Sequence, residues 1–244
     1  MKKQVRFVEI PVIQAGKRVR KRKTDETGGL FEVEGRPEVK FLVSGGGEEC
    51  EFILEEVDFE RGDASKLRRI IMSALEVMAI EIVEIVENET DLPDESIAQR
   101  LGLIPIRCDD VEDVPLITNE GRAEEEIRSG IPFSIDVDYP ESTKGPRTKN
   151  VTESDIVISD KRCKTLTSGT PIFKLRPGQH FELRGLIQKG TGKMHAKWQP
   201  TTTVIFKHDE VQKRYTLSME THGSLTCREI ITRALEILRE EDED

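Results

Sequence analysis

Long apolar runs are absent from this 244-residue chain: no stretch of 18 apolar residues occurs, and the N-terminus has no apolar core of the kind a secretory signal carries. Neither a membrane-spanning helix nor an export signal is therefore expected, and the chain reads as soluble and intracellular. Cysteine is equally scarce. Cys50, Cys108, Cys163 and Cys227 lie more than fifty residues apart and form no Cys-x-x-Cys pair. Zinc ligands cluster at short spacing, so no metal site is expected, disulfides are unforced, and a reducing compartment fits. Aromatic residues make up only 5% of the chain while charged residues make up 34%, a balance that favours polar, partner-facing surface over a stand-alone catalytic core.

A catalytic constellation is also missing. His180, His195, His208 and His222 are dispersed, with no His-Glu-x-x-His pattern, and each reads as a solvated or hydrogen-bonding residue. Gly190-Thr191-Gly192-Lys193 looks like a fragment of a phosphate loop, but Met194 stands where Ser or Thr must hold magnesium. Carboxylates are too many to single out an acid/base pair. Neither a catalytic residue nor a cofactor is expected.

What is present is asymmetry. The net charge is -10, yet residues 1–36 hold 10 basic against 5 acidic residues, a balance of +5 that leaves -15 on the rest. So acidic a body is a poor match for a phosphate backbone. Lys17, Arg18, Arg20, Lys21, Arg22 and Lys23 resist compaction, so residues 1–36 read as a flexible basic extension. It is a solvated tail, a nuclear-import signal or a nucleic-acid contact.

From Pro37 the pattern becomes ordered. Val39, Phe41 and Val43 alternate as a strand, Ser44 to Gly47 turn, and Phe52 to Val57 resume. Leu67, Ile70, Ile71, Ala74, Leu75 and Met78 then fall at i, i+3, i+4, i+7, i+8 and i+11, the strongest helical stripe in the chain. A strand is predicted over 80–87 and a short helix over 94–101. Residues 108–130 lack a period and read as a surface excursion, and a polar loop covers 140–150. Further strands are predicted over 131–137, 156–159, 181–188, 203–207 and 215–220. The last helix has Thr226 and Glu229 as a capping box, Leu225 and Ile230 as a hydrophobic staple, and a stripe of Ile230, Ile231, Ala234, Ile237 and Leu238. Two amphipathic helices thus flank a strand-rich middle, and they must find each other or a partner to hide their stripes. Trp198 reads equally as a core residue or an interface anchor.

Three segments resemble one family. Leu67-Arg68-Arg69 and its helix, followed by Leu92-Pro93-Asp94-Glu95-Ser96-Ile97-Ala98-Gln99-Arg100-Leu101-Gly102-Leu103-Ile104-Pro105, is the first; Lys189-Gly190-Thr191-Gly192-Lys193-Met194-His195-Ala196-Lys197-Trp198-Gln199-Pro200 is the second. Met219-Glu220-Thr221-His222-Gly223-Ser224-Leu225, with the helix to Leu238, is the third. Together they are similar to the alpha-like assembly subunits of RNA polymerase: the third-largest subunit of eukaryotic RNA polymerase II, its archaeal counterpart and, more distantly, the bacterial alpha N-terminal domain. The resemblance covers about 37–107 and 171–240.

It implies an α+β fold, with a dimerisation domain from 37–80 and 201–244 interrupted by an inserted β-rich domain over 81–200. It further implies a non-catalytic subunit that pairs with a smaller alpha-like subunit as a platform for two large catalytic subunits, beside small accessory subunits. DNA would be met only through the complex, and no membrane is involved. The partner-subunit interface would be Leu67, Ile70, Ile71, Ala74, Leu75, Met78, Ile230, Ile231, Ala234, Ile237 and Leu238. The large-subunit contact would be Arg68, Arg69, His195, Lys197 and Trp198. The nucleus is favoured, with cytoplasm or a viral factory or virion as alternatives. Two departures stand out: Ala64-Ser65-Lys66 lacks the Asn usual before the helix, and the clustered metal-binding cysteines of many members are absent, so no metal is expected. The competing reading is a nucleic-acid-binding regulator acting through its basic arm.

Overall fold

The structure, a computed structural model, describes residues 40–44, 49–55, 61–117, 129–141, 147–166, 169–211 and 213–243. The basic cluster at 17–23 lies outside them.

Alternation near the start and end of the chain builds one antiparallel sheet. Strands β1 (Lys40–Ser44) and β2 (Glu49–Glu55) pair with each other, and β2 pairs with β12 (Arg214–Thr221), which pairs with β11 (Thr201–Asp209), in the order β1-β2-β12-β11. On β12, Tyr215, Leu217, Met219 and Thr221 point into the core while Arg214, Thr216, Ser218 and Glu220 point away, the period of two that a half-buried strand requires. Helices α1 (Arg61–Ser73) and α3 (Cys227–Glu243) pack on each other and on this sheet. The capping box forms as the sequence predicts: the Glu229 carboxylate accepts from the Thr226 backbone N–H at 2.7 Å, and the Glu229 N–H donates to Thr226 Oγ1 at 3.2 Å.

The predicted helical stripe runs past the helix. At the helix end the Ala74 N–H donates to the Ile70 carbonyl, at 2.9 Å, and Met78 lies on β3 (Glu76–Asn88). The reason is local: Val77 to Val83 is rich in β-branched residues, which favour a pleated strand over a helix. The apolar residues simply change period at Ala74.

The middle of the chain folds round a second antiparallel sheet, in which β3 pairs with β10 (Gln179–Thr191), β10 with β5 (Ile131–Tyr139), and β5 with β7 (Val157–Ile158). Helix α2 (Asp94–Gly102) packs against β3 through buried Ile97 and Leu101. Two short ladders complete this half: β4 (Ile106–Cys108) with β8 (Cys163–Thr165), and β6 (Lys149–Thr152) with β9 (Pro171–Leu175). The architecture is α+β. One buried apolar cluster gathers α1, α3 and the first sheet; another gathers the second sheet, α2 and the short ladders.

Two expectations fail here. Cys108 and Cys163 are joined by a disulfide, because strand pairing sets them directly opposite each other across β4 and β8. Their separation of 55 residues in sequence says nothing of this register. Cys227 is disulfide-bonded as well. Of the expected excursion over 108–130, residues 118–128 lie outside the described residues, and the part before them is less of an excursion than its composition implies. Val114 and Ile117 are buried, and the Ile117 N–H donates to the Lys189 carbonyl at 3.0 Å.

Gly185 shows how tightly the second sheet is packed. A Cβ there would sit 2.3 Å from the Ile82 carbonyl oxygen and 2.5 Å from the Phe133 ring, whereas one at Gly62, on α1, would meet nothing within 4 Å. Gly185→Ala should therefore cost about 1–3 kcal/mol through overpacking. Gly62→Ala should gain up to about 0.5 kcal/mol from reduced backbone entropy. Urea midpoints check both, and equal shifts for the two variants would contradict the packing described.

Candidate functional site

Leu67, Ile70, Ile71 and Leu75 from the α1 side, with Ile230, Ile231, Ala234 and Leu238 from α3, are buried in one cluster with Val204, Leu217 and Met219 of the sheet. Of the two ways to hide these stripes that the sequence allows, the fold takes the first: each helix completes the other. Full burial of each Leu or Ile contributes about 1.5–3 kcal/mol relative to exposure, so none of this surface needs a second polypeptide. Ala74 and Ile237, together with Met72, are only partly buried at the edge of the same cluster. Met78 belongs to the other cluster, so the eleven residues do not form one patch.

Arg68 and Arg69 sit side by side on α1 with exposed side chains, and they do different things. Arg68 Nε donates to the Val204 carbonyl at 3.1 Å and so pins α1 to β11. Arg69 has no ion-pair partner among the described residues.

The His195–Trp198 segment turns out to be a joint. Trp198 is only 2% exposed, and its indole N–H donates to the Gln188 carbonyl of β10 at 3.2 Å. A Cβ on Gly190 would lie 2.4 Å from that ring, and one on Gly192 would lie 2.2 Å from the Met72 carbonyl oxygen of α1. Both glycines are thus required by close approach: the first lets the indole lie on the end of β10, the second lets the following turn touch α1. The Lys193 N–H then donates to the Ser73 carbonyl at 2.9 Å. What resembles part of a phosphate loop is therefore a backbone contact with a helix terminus.

Lys197 is consumed by the same joint. Its ammonium donates to the Ile80 carbonyl at 2.8 Å, pairs with the Glu81 carboxylate, and stands 4.5 Å from the Trp198 ring centroid. In this segment only His195 and Ala196 stay exposed, and the His195 ring caps the turn by accepting from the Lys197 N–H at 3.1 Å. The five predicted large-subunit contacts therefore split. Arg69 and His195 face solvent and Arg68 is partly engaged, while Lys197 and Trp198 are turned inward.

Sequence reading missed a neighbouring cavity of about 280 Å³, between the start of β3, the Leu103–Ile106 turn and the 196–202 segment. Leu103 stands at its edge, 63% exposed. Thr201 and His222 line it, and Thr201 Oγ1 and His222 Nδ1 are buried without hydrogen-bond partners. The other ring nitrogen, Nε2, lies 2.7 Å from the Gln199 carbonyl and donates to it. Buried polar atoms are normally paired, so these two unpaired atoms depart from the rule. The only sequence signal was Leu103 itself, a large apolar residue following a helix end.

Arg107 of β4 ties the inserted sheet's surroundings to α3. Both of its terminal nitrogens reach the Glu229 carboxylate at 3.2 Å, and it also meets Asp109 at 3.1 Å. Burial pushes the Glu229 carboxyl up, but the Thr226 hydrogen bonds and then Arg107 outweigh it and hold the group below its ordinary value. At the far end of the second sheet, His180 bridges Asp136 and Glu87, whose hydrogen bonds raise its pKa to about 9. Among the described residues, no group of three or more His, Cys, Asp or Glu is arranged to hold a metal ion, and no helix is long and apolar enough to cross a membrane.

The family model for the RNA polymerase Rpb3/RpoA insert domain matches residues 81–211. The chain is 36% identical over 172 residues to a conjugation stage-specific protein of Tetrahymena thermophila, covering 64% of this chain and 55% of the relative. It is 31% identical over 158 residues to the DNA-directed RNA polymerase II subunit RPB3 of Schizosaccharomyces pombe, covering 62% and 53%. It is 34% identical over 182 residues to the DNA-directed RNA polymerase subunit Rpo3 of Methanocaldococcus jannaschii, covering 74% and 81%. The chain thus spans about half the length of the first two relatives and four fifths of the third.

The Arg107–Glu229 contact predicts a pH dependence. Because the folded carboxyl titrates below its unfolded value, its contribution is full above the ordinary glutamate range of about 4.3 and is lost as pH falls through the folded value. Glu229→Gln should lower the melting temperature at pH 7, and the gap from the parent should close below about pH 4. A gap independent of pH would show that the carboxylate's charge does nothing there.

Proposed function

Since the chain belongs to the RNA polymerase Rpb3/RpoA family, we propose that it is a non-catalytic assembly subunit of a DNA-directed RNA polymerase. It pairs with a smaller alpha-like subunit, and the pair is the platform for the two large catalytic subunits. The observation that carries this reading is the coincidence of family match and joint. Lys189 to Pro200, one of the three segments that resemble the family, lock the end of β10 to α1, which is a structural role rather than a chemical one. In this reading residues 37–80 with 201–244 are the pairing half, 81–200 is the inserted half, and the nucleus is where the subunit works.

The burial of the stripes changes which residues do the pairing. The smaller subunit meets the outer edge of the helix pair, at Met72, Ala74 and Ile237, whereas Ile70 and Ile231 hold the chain itself together. The large subunits meet Arg69 on α1 and the cavity edged by Leu103 and Ala196 and lined by Thr201 and His222. A guanidinium suits bidentate pairing with a carboxylate across such an interface. The competing reading, a regulator working through residues 17–23, is disfavoured by charge: the body beyond the arm carries -15.

Pull-down with mass spectrometry from cells that express the other polymerase subunits tests the proposal. The parent chain should recover one small α+β chain and two large ones. Ile237→Asp should abolish recovery of the small chain while the variant stays folded by circular dichroism. Ile231→Asp should unfold the chain, since a buried unpaired carboxylate costs several kcal/mol, comparable with a domain's whole margin. Arg69→Ala should keep the small chain and lose most of a large one. Recovery of the parent with none of the other polymerase chains bound would refute the assignment, and normal pairing by Ile237→Asp would refute the edge.

A further inference from the structure

The outer face of the second sheet departs from what an exposed face should look like. An antiparallel sheet with one side in water normally shows polar residues there throughout. On this face the cross-strand rows run Asp138–His180, then Asp136–Glu182–Glu87, then Ser134–Arg184–Glu84, then Pro132–Leu186–Ile82. The last row is apolar. With Val157 of β7, 65% exposed, it borders an open groove of about 520 Å³ whose lining includes the Phe133 ring.

The rest of the face is acidic. Glu84, Glu87, Asp136, Asp138 and Glu182 supply five carboxylates against two cations, and both cations are already engaged. Arg184 holds Glu182 at 2.9 Å, and His180 holds Glu87 at 2.9 Å and Asp136 at 3.0 Å. Glu84 and Asp138 have no ion-pair partner among the described residues. From Leu186 to His180 the stripe is about 20 Å long at the rise of a strand, which matches an extended polypeptide segment of about six residues rather than a small molecule. Its sign repels a phosphate backbone.

We propose that this face docks an extended segment of another subunit of the same complex, one that seats an aliphatic side chain in the Val157–Leu186 groove and lays Lys or Arg side chains along the carboxylates beside it. The proposal rests on the polymerase reading for where the partner is found, and on charge complementarity for what the partner is. The apolar end supplies burial and the acidic rows supply register and orientation.

The test uses the assembled complex. A photo-cross-linking p-benzoylphenylalanine replaces Val157, with the same replacement at Val211, 93% exposed on the β11–β12 turn, as the control. Val157 should cross-link to a peptide of a different subunit that carries an aliphatic residue with at least one Lys or Arg close by, and Val211 should not reach that peptide. The yield should fall about threefold when salt is raised from about 0.1 to 0.5 M, because screening weakens the charged contacts. The double variant Glu84→Lys/Asp138→Lys, which leaves the His180 bridge intact, should reduce it at least as much. Several results overturn the proposal: no cross-link to another chain from an intact complex, a cross-link to an acidic segment, a cross-link confined to residues 1–36 of this chain, or a yield indifferent to salt and charge reversal. An intact complex without the cross-link removes this surface and leaves the polymerase reading standing; failure to recover any complex removes both.

Discussion

The fold depends on two amphipathic helices, far apart in sequence, hiding their apolar stripes in each other. Neither α1 nor α3 would hold its shape alone in water, because isolated helices of this length are marginal and draw their stability from a buried face. Each supplies what the other lacks, and β11 and β12 supply the floor. The ends of the chain must therefore meet before the first sheet and its helices are complete, and everything between them is carried as an insertion.

That insertion is not tethered loosely. Gly190 and Gly192 let β10 end against Trp198 and α1, the Lys197 ammonium reaches back to Ile80 and Glu81, and Arg107 reaches the capping box of α3. Each contact joins groups from both apolar clusters or their borders. Mutation of a residue in the joint is thus expected to act on assembly indirectly, by shifting one half against the other, which separates it from mutation of an exposed residue such as Arg69.

Much of this was legible in the sequence, and for identifiable reasons. The capping box at Thr226 and the stripe of α3 are local patterns, so they could be read without knowing the rest of the chain. So could the alternation that gives β5 and β12. What escaped was set by distant pairing. The Cys108–Cys163 disulfide depends on the register of β4 with β8, and the short ladders β4, β6, β8 and β9 are too brief to show a period. Among the expected site residues, sequence located the helices but could not say which side of them was already covered. It therefore named Ile70 and Ile231 where the structure leaves only Met72, Ala74 and Ile237 partly open. Trp198 and Lys197 illustrate the same limit, since a tryptophan beside a lysine looks alike whether it anchors a partner or closes a joint. The unpaired atoms of Thr201 and His222 had no sequence signal at all.

The most direct test of the mutual sealing of the helices is native-state hydrogen exchange on the isolated chain. The account predicts that the amides of Leu67 to Ile71 and Ile230 to Leu238 exchange as slowly as those of β12 and gain little further protection when the proposed smaller subunit is added. Exchange in those helices orders of magnitude faster than in β12, slowing only on addition of the partner, would contradict it.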